Sequence, residues 1–114
     1  MIQKNFQHKQ LANGRWQKLS LIEQLANIGS EVSRACNWQN KDEKIFQSAV
    51  ERALELFDLT LEDPRWKNRL REIARAREVF LDAAIFGGKE YKSSLKDLER
   101  YFFQFAVASR LNKF

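Results

Sequence analysis

An all-α, antiparallel up-down-up-down four-helix bundle is the fold this sequence predicts, on three observations. One proline and four glycines in 114 residues leave long uninterrupted runs. Within those runs apolar residues recur at helical spacing in four windows. The windows are joined by short polar loops, the connections that link antiparallel neighbours. A composition of 44% apolar and 31% charged residues is that of a globular chain. At 114 residues it makes one domain, whose core buries roughly two thirds of the unfolded surface.

Residues 1–19 mix Gln, Asn, Lys and Gly with scattered Phe6, Leu11 and Trp16 and show no sustained period, so they are expected to form a basic, partly mobile arm preceding a bundle over residues 20–114. The first helix starts at Ser20, which with Glu23 forms a capping box, and ends near Asn37-Trp38. Ile22, Leu25, Ala26, Gly29, Val32, Ser33 and Cys36 make its inner stripe, widened by Leu21, Ile28 and Ala35. Gly29 costs a mid-helix position roughly 1 kcal/mol against alanine, which points to another helix crossing closely there. After the polar loop Gln39-Asn40-Lys41-Asp42, a second helix over residues 43–61 turns Phe46, Ala49, Val50, Ala53, Leu54, Phe57 and Leu61 inward. Glu51, Glu55, Asp58 and Glu62 line its other face as a solvated acidic stripe.

The third helix is expected to run unbroken from Pro64, capped by Asp63, to the left-handed exit Gly87-Gly88. Trp66, Leu70, Ile73, Phe80, Leu81 and Ala84 form its packing stripe, and Lys67, Arg71 and Arg75 line up on another face. Arg77 falls inside the apolar stripe and needs a carboxylate from Glu23, Glu31 or Asp58; stranding that charge would cost roughly 3 kcal/mol or more. Ser93 or Ser94 caps a fourth helix with Leu95, Leu98, Tyr101, Phe102, Phe105 and Ser109 inward. Left over are Ala76, Val79, Ala83 and Phe86 on the third helix and Phe103, Val107, Leu111 and Phe114 on the fourth. Of these, Val79, Phe86, Phe103, Val107 and Leu111 are the candidate contacts of a homo-oligomer.

The net charge of +5 is unevenly spread. Residues 1–19 hold Lys4, Lys9, Arg15 and Lys18 without an acid, and residues 64–71 hold Arg65, Lys67, Arg69 and Arg71 without one. Such a surface steers an anionic partner to one side. The candidate phosphate contacts are Lys67, Arg71 and Arg75, flanked by Arg65 and Arg69 and joined by Arg15 and Lys18 of the arm, with a helix N-terminus adding its own positive field.

Catalytic chemistry is not indicated. His8 is the sole histidine and Cys36 the sole cysteine. There is no Gly-rich phosphate loop, no His pair at metal-binding spacing and no Glu-x-x-His. No catalytic residue, metal, cofactor or small-molecule substrate is therefore expected, and Cys36 reads as a core thiol. No helix-turn-helix, zinc-finger or aromatic RNA-binding motif suggests base-specific reading. With no bilayer-length apolar run and no signal-like block at the N-terminus, the expected place is the cytoplasm, away from membranes.

Residues 13–25, opening Asn13-Gly14-Arg15-Trp16, residues 27–32, residues 51–60, opening Glu51-Arg52-Ala53-Leu54, and Arg77-Glu78-Val79 resemble a group of small bacterial four-helix-bundle proteins. The chain is similar over about residues 13–110 to the accessory variability determinants of diversity-generating retroelements and to bundle proteins encoded in ribosomal RNA intervening sequences. That resemblance implies a basic, non-catalytic homo-oligomer that binds a reverse transcriptase and its template RNA. The smaller charge excess and the acidic second helix depart from the pattern. The other reading of the same surface is a protein-protein adaptor whose basic face meets an acidic protein.

Overall fold

Helices begin where a side chain can hold the free NH groups of the first turn. The computed structural model describes residues 14–111 and shows this at three of its four α-helices. At α1 (Leu21–Trp38) the Glu23 NH donates to Ser20 Oγ at 3.1 Å, and the Ser20 NH to Glu23 Oε1 at 3.0 Å. At α2 (Glu43–Glu62) Asp42 accepts from the Ile45 NH at 3.1 Å. Before α4 (Leu95–Leu111) Ser94, not Ser93, is the cap, and Asp97 completes the reciprocal pair at 3.1 and 2.9 Å.

The third helix departs from expectation. Asp63 does accept from the Arg65 NH at 3.1 Å, but the chain then enters a 3-10 turn over Pro64–Arg69, with Trp66 at φ −104°, ψ 26°. The α-helix α3 covers only Leu70–Ile85, preceded by Arg69 at φ −117°, ψ 4°. Local signals could not separate the two outcomes, because Asp-Pro at the start suits an α-helix and a 3-10 turn equally. Tertiary hydrogen bonds from Arg65 to the Leu19 carbonyl and from Trp66 to Gln24 tip the balance.

The core draws on all four helices: Leu25, Ile28, Val32 and Ala35 of α1, Ala49, Val50, Ala53, Leu56, Phe57 and Leu59 of α2, Ile73, Phe80 and Ala83 of α3, and Leu95, Leu98 and Phe102 of α4. Phe57 meets Phe80 at 5.9 Å and Phe102 edge-on at 6.0 Å, joining α2, α3 and α4 through aromatic contacts of favourable geometry. α1 packs extensively on both α4 and α2, whereas α3 makes much slighter contacts with α2 and α4. The close crossing expected at Gly29 is present: a Cβ there would sit 2.8 Å from Phe102 Cβ. Gly87 and Gly88 take φ +66° and +74°, and buried Asp82 pins the next loop by accepting from the Glu90 and Tyr91 NH groups at 3.2 and 3.0 Å. No described helix is long and apolar enough to cross a membrane.

Several side chains sit otherwise than periodicity alone implies. Trp16, expected in the arm, is fully buried in the core at the start of a 3-10 turn over Trp16–Lys18. On α1 burial centres on Ile28, Val32 and Ala35, and Gln24 is fully buried beside them. Ala83, expected outward, is core, and Val79 and Ala76 pack against the core; Leu70 and Tyr101, expected inward, are each a little over one third exposed. The acidic face of α2 is not uniformly solvated, since Glu55 and Asp58 are half-buried. Arg77 is half-buried too, and its Nε donates to Asp58 Oδ1 at 3.0 Å. With 30% and 27% of the two side chains still in water, the pair is not the fully buried charge anticipated, and breaking it costs less than stranding such a charge.

Candidate nucleic-acid interface

The basic stretch after Asp63 divides into residues that hold the fold and residues that face solvent. Arg65 belongs to the first group. Its Nη2 donates to Asp63 Oδ2 at 2.6 Å and to the Leu19 carbonyl at 2.7 Å, its Nε reaches Asp63 Oδ1 at 3.0 Å, and its guanidinium lies 4.4 Å over the Trp66 ring. Asp63 is almost fully buried and also accepts from Gln24 Nε2 at 3.2 Å. The hydrogen bonds from Arg65 hold the Asp63 carboxyl below its usual range against the opposing effect of burial. Gln24 donates a second time to the Trp16 carbonyl at 2.9 Å and accepts from Trp66 Nε1 at 2.9 Å, while Trp16 Nε1 donates to Thr60 Oγ1 at 3.1 Å.

The other cations differ in freedom. Arg69 pairs with Glu72 at 3.1 Å, both about half open to solvent. Arg75 lies 5.4 Å over the Tyr91 ring, whose hydroxyl donates to Glu78 at 2.7 Å. Lys67 and Arg71 are exposed and form no ion pair among the described residues, and Lys18 and Arg15 are exposed as well. The 3-10 turn breaks the register between Lys67 and the Arg71 and Arg75 face, so the continuous cationic line expected from a single helix does not form. The expected anion seat at the helix start is also altered. Asp63 already occupies the NH of Arg65, and Glu72 lies in the first turn of α3, where its charge meets the helix field. The basic segment is nevertheless drawn together: the Arg65 bond to Leu19 fastens residues 15–19 beside residues 63–69, placing Lys18 next to the second basic stretch.

The candidate oligomer contacts separate into different places. Phe86, Val107 and Leu111 are exposed, Phe103 lines a cleft between α1 and α4, and Val79 lines a smaller one between α3 and α4. Lys4, Lys9, His8, Phe6, Leu11 and Phe114 lie outside the described residues. Cys36 is half-buried against the core, and burial raises its thiol pKa. Among the described residues no group of three or more His, Cys, Asp or Glu could hold a metal ion.

Sequence reasoning passed over Lys96, Arg100 and Arg110 of α4, because Asp97 and Glu99 between them make the local run look neutral. Their common side of the helix, at 100° per residue, was the available signal. The fold and surface define a small all-helical protein with a divided basic surface. No family model matches the chain, and no curated protein or solved structure proved significantly similar to it.

Proposed function

We propose that the protein is a non-catalytic, nucleic-acid-binding accessory subunit, built as an antiparallel up-down-up-down bundle and working in the cytoplasm on RNA beside a reverse transcriptase, as in a diversity-generating retroelement. The resemblance supplies the reverse transcriptase and the RNA. The observation that carries phosphate binding is the Arg65 to Leu19 bond, which ties the segment that carries exposed Lys18 to the one that leads into exposed Lys67 and Arg71. These three contact phosphates, Arg69 joins them by exchanging Glu72 for phosphate, and the binding has no sequence preference. Arg65 holds the surface in place and Arg75 stacks on Tyr91, so both act at second hand.

Replacing Lys18, Lys67 and Arg71 together by Glu should abolish binding to duplex RNA or DNA of any sequence at about 0.1 M salt with helical circular dichroism unchanged, and the wild-type salt slope should approach 0.9 for each duplex phosphate neutralised. Absence of any shift by the wild type at low salt and tens of micromolar protein would overturn the reading in favour of an acidic protein partner.

The exposed Val107 and Leu111 support self-association, since two large aliphatic side chains one helical turn apart favour removal from water. Val107→Asp with Leu111→Asp should lower the mass measured by light scattering while the helices persist. A wild type that is monomeric at high micromolar concentration rules this out.

A further inference from the structure

Between α1 and α4 lies an open cleft of about 720 Å³. The close approach at Gly29 sets its depth, and Gly29, Ser30, Ser33 and Ala106 keep its floor low. Three cations edge it, Lys96, Arg100 and Arg110, against a single lining carboxylate, Glu99. That carboxylate is already engaged: Ser33 Oγ donates to it at 2.6 Å and Lys96 Nζ lies 3.0 Å away, and these contacts hold its pKa below the usual range. Arg100 is 76% open at its side chain, its nearest acid Asp97 standing 4.0 Å off outside the cleft, and Arg110 is exposed without an ion pair among the described residues. Phe103, 64% exposed, presents its ring between Arg100 and Arg110 on the same edge. By the rise of an α-helix the two arginines stand ~15 Å apart along the axis, with the ring in between.

Cation, exposed ring, cation along one groove is the arrangement that holds a single strand, whose backbone seeks charge and whose bases seek a flat apolar surface. An acidic peptide would use the cations and leave the ring without a purpose. A duplex, with its bases stacked inside, could not offer one to Phe103. We propose that this cleft seats a short single-stranded segment of nucleic acid, with phosphates on Lys96, Arg100 and Arg110 and a base on Phe103. This rests on the nucleic-acid reading and gives it a second contact surface with a preference for single strands.

The test uses fluorescent oligouridylate, oligothymidylate and a duplex of equal length, followed by anisotropy. Phe103→Ala should weaken strand binding roughly tenfold and leave the duplex unaffected, and Phe103→Trp should restore it. Arg100→Glu with Arg110→Glu should lower the salt slope for the strand by about 1.4. If these variants bind the strand like wild type while Lys18→Glu, Lys67→Glu and Arg71→Glu together abolish binding, the cleft has no such role and the nucleic-acid reading survives. If the wild type binds neither strand nor duplex, both fall. If polyglutamate binds the wild type as tightly as the strand does and Phe103→Ala changes nothing, the occupant is an acidic protein and the proposal is overturned.

Discussion

Trp16→Ala is expected to cost about 4 kcal/mol, a loss at the upper end for a single truncation. The indole is fully buried, so its removal opens a cavity between the segment preceding α1 and the end of α2, and it leaves the buried Thr60 hydroxyl without its donor. A loss of this size shifts the urea midpoint of a domain this small far more than experimental error. Trp16→Phe should recover most of the packing and none of the bond to Thr60, separating the two contributions. If Trp16→Ala unfolds at the wild-type midpoint, residues 14–18 are not part of the cooperative unit.

Gln24→Leu should cost about 3 kcal/mol although leucine is apolar and fits the helix, because three buried or half-buried polar groups lose their partner at once: the Trp16 carbonyl, an Asp63 carboxylate oxygen and the Trp66 indole NH. Gln24→Glu would place a second carboxylate beside Asp63 and should be worse at neutral pH, recovering part of the loss in acid. Asp63 itself links the network to pH. Its folded pKa lies below its ordinary value, so its contribution is complete above about pH 4 and disappears as pH falls through the folded pKa. Asp63→Asn should remove that part of the acid sensitivity. Additive effects of Gln24→Leu and Trp66→Phe in a double-mutant cycle would show that the network is not a unit.

The helix start at Ser20 was legible because capping is local, and Gly29 announced its contact because a glycine in mid-helix needs a neighbour to justify it. Gln24 could not be read in the same way. A glutamine on a helix is ordinarily a surface residue, and the partners that bury this one lie up to 42 residues away. Trp16 was misplaced for the same reason: its own segment has no period, and its place in the core depends on Thr60. The third helix looked continuous because apolar spacing persists across Arg69 even though the backbone does not remain α-helical there. In the basic surface the residue types were visible, but which arginines are engaged was not, since Arg65 answers to Asp63 and Leu19 and Arg75 to Tyr91. Lys96, Arg100 and Arg110 share one side of α4 already in the sequence, but that this side edges a groove depends on α1, which lies far off in the chain.

The unequal packing of the helices also sets a hierarchy of amide exchange. α1, held between α2 and α4, can expose its backbone only when the whole molecule opens, so its slowest protons report the global free energy. α3 carries fewer tertiary contacts and is entered through a 3-10 turn, so its protons exchange through smaller local openings that leave the α1, α2 and α4 core intact. Lys67 and Arg71 stand at the threshold of that looser helix, while Phe103 and Arg100 stand on α4, inside the firmer part of the molecule. A polymer engaging both surfaces would therefore slow exchange in α3 far more than in α1, because binding quenches only the openings it opposes.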